Sequence, residues 1–114
     1  MDRELRRSPR FPISRRGVLS HQSVRFPCLV QDISAGGFCI VCARNPVVGQ
    51  VMDLSFSLTA TLRHRCRIQV RHVDSGCLGA QIRQIDEQAY HVFQDFVQQL
   101  GGDVRLQLAL PAGI

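Results

Sequence analysis

From residue 17 to residue 85 the chain alternates apolar and polar residues with a period of two, and at Asp86 that period gives way to a helical one. This switch restricts the chain to a run of half-buried strands followed by a single helix. Met52, Leu54, Phe56 and Leu58 alternate with Asp53, Ser55 and Ser57 in the clearest strand. Cys66, Ile68 and Val70 alternate with Arg65, Arg67, Gln69 and Arg71, and Asp74-Ser75-Gly76 turns this strand into the next, Cys77–Ile85. Val24, Phe26, Cys28 and Val30 share one face, opposite Arg25, Pro27, Leu29 and Gln31. Pro27 has no N–H for a ladder, so a bulge or an unpaired edge is expected there. Residues 37–42 are apolar on both faces, and Asn45-Pro46-Val47-Val48-Gly49 reads as a turn.

Asp86 is the expected N-cap of the helix. Ala89, Val92, Phe93, Phe96, Val97 and Leu100 follow at helical spacing, and Gly101-Gly102 is the stop signal. The wide apolar stripe suits a lid on a β core. Residues 104–110 are apolar and fit a short strand or a helix equally. Several short antiparallel strands and one helix make a small β-barrel with a helix across one end. At 114 residues the chain suits one domain with a real core.

Charge is uneven. The first 16 residues hold six arginines against Asp2 and Glu4, while the other 98 hold eight arginines and seven acids. The basic character therefore lies in an N-terminal arm, as expected if the arm meets an anionic partner. No apolar run approaches the roughly 20 residues of a membrane span, and residues 1–7 lack the apolar stretch of a secretory signal. A cytoplasmic location without membrane contact is expected. Five cysteines, at 28, 39, 42, 66 and 77, form an odd set, which argues against a disulfide framework. Cys39 and Cys42 lie three apart on a strand sequence, so their sulfurs should diverge rather than hold a metal. All five are expected to act as small hydrophobes.

Two short motifs flank the strand at residues 24–31. Arg6-Arg7-Ser8-Pro9-Arg10 places two arginines at i and i+4 on the arm, and Asp32-Ile33-Ser34-Ala35-Gly36-Gly37 follows the strand. Arg3 and Arg7 have the same spacing, but Arg10-Phe11 leads directly into the first strand, which favours Arg6 and Arg10. Arginine forks pair with guanine O6/N7 and with phosphate oxygens. An ionised Asp32 can only accept, which suits guanine N–H groups, and the Ser34 hydroxyl can donate to a phosphate. Gly36 and Gly37 let backbone approach a ligand without a Cβ in the way. Alone, the Asp-x-Ser-x-x-Gly stretch is an ordinary hairpin turn.

Together, in this order and on a strand-rich chain, the two motifs resemble the PilZ domain, a family of bacterial receptors for the second messenger cyclic di-GMP. The resemblance covers about residues 5–100. It implies a six-stranded antiparallel β-barrel with a C-terminal helix covering one end. It also implies a flexible arm over residues 1–12, the barrel and helix over 13–101, and a C-terminal extension over 102–114. The implied ligand site is Arg6, Arg7, Arg10, Asp32, Ser34, Gly36, Gly37, His72 and Gly79. His72 stands where many relatives place a Trp that stacks on a base, and the alternation sets it at the end of the Cys66-Ile68-Val70 face. Base stacking and a structural role are both open to it. Leu5 stands where relatives that hold two stacked ligands place a further arginine, so one ligand per chain is expected.

The resemblance further implies a receptor or adaptor that hands its signal in motility, biofilm or virulence control to a separate downstream effector protein. It implies no cofactor, metal or catalysis. The alternatives are a small basic barrel that binds nucleic acid and a PilZ-like adaptor that acts without ligand. Nucleic acid is disfavoured because Phe11, Phe26, Phe38 and Phe56 read as core rather than as a stacking platform. His21, His64, His72 and His91 show no nucleophile–base–carboxylate relation.

Overall fold

The computed structural model describes residues 10–34, 37–44, 46–74 and 76–101. Six strands, β1 (Arg10–His21), β2 (Val24–Ser34), β3 (Gly37–Cys42), β4 (Val51–Ser57), β5 (Arg63–Asp74) and β6 (Cys77–Gln84), precede one helix, α1 (Glu87–Gly101). The strands close into an antiparallel barrel in the order β1-β2-β3-β6-β5-β4; a small barrel is what the alternation predicts, and six strands are what the resemblance implies. The first strand begins at Arg10, so residues 10–12 of the expected arm are paired with Ser34, Ile33 and Asp32 of β2. Arg6, Arg7 and Leu5 on the arm, Gly36 in the second motif and the segment 102–114 lie outside the described residues.

Inward positions follow the period-two reading. Met52, Leu54, Phe56 and Leu58 are buried, as are Cys66, Ile68 and Val70 on the adjoining strand. Phe38 and Phe56 are fully interior, and Phe11 and Phe26 are half-buried against the same core. Pro27 pairs with Val18 on one side, and the ladder to β3 begins only at Cys28, so Pro27 stands where one side of β2 is an edge.

Closure between β1 and β4 depends on Gly17. A Cβ there would lie 2.6 Å from the Ser55 carbonyl oxygen and 2.9 Å from the Phe56 Cβ. The two strands approach because one of them carries no side chain at the crossing.

Helix α1 is capped as its sequence predicts. The Asp86 carboxylate accepts the Ala89 N–H at 3.0 Å, and the Asp86 carbonyl accepts the Tyr90 N–H at 2.9 Å. Phe93 and Val97 are buried on the barrel, whereas Leu100 at the far end of the stripe is exposed. Phe93 meets Phe38 and Phe56 and stacks on His64, with ring centroids 4.4 Å apart. The Arg15 guanidinium fastens this end of the barrel. It donates to the carbonyls of Leu58 and Ile13 at 3.1 and 2.8 Å and lies 5.9 Å from the Phe96 ring centre.

Candidate functional site

Two β-bulges decide which side chains reach the outer surface. Between Val30 and Asp32 strand β2 carries one residue more than β3, so Gln31 is the extra residue. Strict alternation from Val30 would turn Asp32 inward. The bulge turns it outward and places Ile33 in the core. On β5 the register against β6 shifts between Val70 and His72, with Arg71 as the extra residue. Val70 stays buried opposite Ala80, but His72 emerges on the outer surface opposite Gly79. The sequence expectation that His72 ends the inner apolar face is corrected here. A bulge shifts side-chain parity by one, and period-two counting cannot see it.

These elements surround a shallow outer cavity of about 340 Å³. Arg10 from β1, Asp32 and Ser34 from β2, Gly37 from β3, His72 from β5 and Gly79 from β6 all line it. Every predicted site residue within the described part of the chain thus lies around one opening. Arg10 donates through Nη1 to Asp32 Oδ1 at 3.1 Å across the β1–β2 ladder. The guanidinium is 62% exposed and Asp32 only 20%, so the cation faces outward with its remaining N–H donors directed away from this pair.

The glycines have specific reasons to be glycine. The His72 imidazole lies where a Gly79 Cβ would stand, with all three of its nearest ring atoms over the Gly79 backbone. Gly79 therefore leaves room for the ring against β6. Gly37 has φ of +143°, and a Cβ on it would meet the Ala80 carbonyl. The sequence reading gave Gly37 to ligand approach. Gly37 lines the cavity, and its missing Cβ also permits close packing of β3 on β6.

Three features of the cavity wall were not anticipated. Arg71, the bulge residue, lines it and donates to Gln81 Oε1 at 2.8 Å. Asp74 lines it as well. The third is a disulfide between Cys39 and Cys77, with Cα atoms 6.5 Å apart. The sequence expectation of small hydrophobic thiols outside any disulfide framework is corrected here by this one bridge. The register explains the correction. Cys39 faces Gly79 and Val41 faces Cys77, so the two cysteines are diagonal neighbours on the outer face. Cys39 and Cys42 do diverge, since Cys42 donates its S–H to the Arg44 carbonyl. The remaining cysteines, Cys28, Cys42 and Cys66, are free thiols. Burial pushes the Cys28 thiol up to about 12 and the Cys66 thiol higher still, so both stay protonated at neutral pH.

A closed six-stranded barrel with a capping helix, bearing an arginine, a carboxylate and a histidine around one outer cavity, has the architecture of a small ligand-receptor module. The chain matches the PilZ domain family over residues 4–99. It belongs to that family, whose members are receptors for cyclic di-GMP. Among curated proteins, none matches the chain. Among the described residues, no cluster of His, Cys, Asp or Glu could hold a metal ion, and no helix is long and apolar enough to cross a membrane.

Proposed function

We propose that the chain is a cyclic di-GMP receptor whose ligand lies in the outer cavity and is clasped by the N-terminal arm. The observation that carries this reading is the convergence of Arg10, Asp32, Ser34, His72 and Gly79, from four strands, around one opening. Asp32 accepts guanine N–H groups, and Arg10, released from Asp32, pairs with guanine O6/N7 or a phosphate. The His72 ring, held against Gly79 and exposed, is available for base stacking. Arg6 and Arg7 bring further cations as the arm closes, and Gly36 completes the second motif. The closed arm presents a changed surface to a downstream effector protein.

Calorimetric titration with cyclic di-GMP, with GTP and DNA oligonucleotides as controls, tests the reading. Saturable binding of about one cyclic di-GMP per chain is expected, and absence of heat with this ligand alone or preference for GTP overturns it. Arg10→Ala should weaken binding by about 2 kcal/mol, the value of a charge-assisted hydrogen bond lost at an exposed site. Arg3→Ala should leave it nearly unchanged, and the reverse ranking would move the motif to Arg3 and Arg7. Closure is checked by amide exchange on residues 3–9, which should slow when ligand is added. Equal exchange rates in both states would show that the arm does not close.

A further inference from the structure

Away from the ligand cavity, the outer face of β2, β1, β4 and β5 forms a trough. The ladder pairs Arg25 with Ser20, Ser20 with Asp53, and Asp53 with Arg67, so one row across the sheet runs arginine, serine, aspartate, arginine. The neighbouring row runs Pro27, Val18, Ser55, Arg65. Small side chains therefore make a floor along β1 and β4, with Arg25 on one wall and Arg65 and Arg67 on the other. The enclosed space is about 600 Å³ and includes Arg25, Arg65, Arg67, Ser20 and Ser55 in its lining. Three strand spacings separate the walls, roughly 14 Å along the sheet, which admits one extended chain.

The charges in the trough are unequally engaged. Arg67 donates to Asp53 at 3.0 Å, and Asp86 is occupied at the helix N-cap. Just beyond, Arg63 donates to the hydroxyls of Ser55 and Ser57. Arg25 and Arg65 are exposed and have no hydrogen-bond or ion-pair partner among the described residues. Among the described residues, two unpaired arginines thus stand on opposite walls, in neighbouring rows, with Ser20 and Ser55 on the floor between them.

We infer that this trough is a docking surface for an extended acidic peptide segment of a partner protein. Arg65 and Arg67 stand two apart on one strand, about 7 Å, which is also the repeat of alternate residues in an extended peptide. Carboxylates at alternate positions of such a segment meet the arginine wall in register. The serine hydroxyls and Asp53 serve the donors and acceptors that a peptide brings and a uniform phosphate backbone does not. Among the described residues, no aromatic ring lines the trough to stack a base. The inference rests on the receptor reading only in taking the partner to be the effector, and β5 links the two places, since it carries Arg65 and Arg67 at one end and His72 at the other.

The test is titration of a synthetic Glu-Ser repeat peptide against the full chain and two charge-matched double variants. R25A/R65A removes the free walls, while R44A/R83A removes the same charge outside the trough. Binding by the unaltered protein, about tenfold weaker in R25A/R65A and retained in R44A/R83A, is the expected result. R25E/R65E should bind a Lys-Ser repeat peptide instead. Absence of peptide binding, or equal loss in both alanine variants, overturns the inference, as does tighter binding of an oligodeoxythymidine that depends on Arg25 and Arg65. Cyclic di-GMP titrated in parallel separates the two readings. Its binding should persist in R25A/R65A, and its absence in the unaltered protein would remove the receptor reading without touching the peptide result.

Discussion

Gly37→Ala is expected to cost about 4 kcal/mol of folding stability. Two penalties add at this position. A φ of +143° is strained for any residue with a Cβ, worth about 1–3 kcal/mol. The added methyl also runs into the Ala80 carbonyl, which is backbone of the neighbouring strand and cannot rotate away. Forcing β3 from β6 is overpacking of the kind that costs about 1–3 kcal/mol. A small domain with about 5–15 kcal/mol in total loses a large fraction of its stability by this change. Gly49→Ala is the matched control, because Gly49 also has positive φ, at +95°, but open space where its Cβ would stand. Urea unfolding should show Gly49→Ala losing only the strain contribution. Equal losses in the two variants would mean that the β3–β6 contact is not what requires Gly37. The result bears on the ligand motif as well, since a binding defect in Gly37→Ala reports a lost ligand contact only after the loss of folding stability is accounted for.

Acid should weaken the barrel through His64. This side chain is 2% exposed beneath α1, between Phe56 and Phe93, and its Nε2 has no hydrogen-bond partner among the described residues. Burial pulls its pKa from 6.5 down to about 4, with nearby Asp86 opposing the shift only in part. The folded state therefore keeps His64 neutral where the unfolded chain takes up a proton. The stability involved is fully present above pH 6.5 and is lost as the pH falls through about 4. The total is about 3 kcal/mol. His64→Phe keeps a ring against Phe93 and removes the titration. Urea unfolding at a series of pH values should show the unaltered protein losing about 3 kcal/mol more than His64→Phe between pH 7 and pH 4. Carboxylates elsewhere titrate in both proteins and cancel in the difference. Parallel pH profiles would show that His64 is not held neutral by the core.

The aromatic contacts around His64 explain why the lid sits where it does. Phe38, Phe56 and Phe93 come from β3, β4 and α1, and their rings meet edge-on or tilted with centroids 5.6–6.1 Å apart. An apolar stripe on α1 was visible in the sequence. That Phe93 stacks on a histidine was not, because nothing in the spacing of residues 64 and 93 links them.

The elements and their inner faces were legible from residue order alone. Met52, Leu54, Phe56 and Leu58 needed only the two-residue repeat of an extended chain to be placed in the core. Asp86 needed only its position before a helical repeat to be named as the cap. The two motifs were likewise legible, because each is a short local pattern, Arg6 to Arg10 and Asp32 to Gly37; that Arg10 in β1 lies beside Ser34 in β2 is a matter of pairing. What residue order did not contain was the pairing between distant strands. The bulges at Gln31 and Arg71 exist only relative to β3 and β6, and they turn Asp32 and His72 to the outer surface. Cys39 and Cys77 are 38 residues apart and become neighbours through one register. Gly37 and Gly17 are required by a facing backbone that no local pattern announces. The arginine trough also depends on four strands lying side by side in a particular order. Local chemistry set the strands, the helix and the charged motifs. Barrel closure and register, which are long-range, decided which of those side chains share a surface.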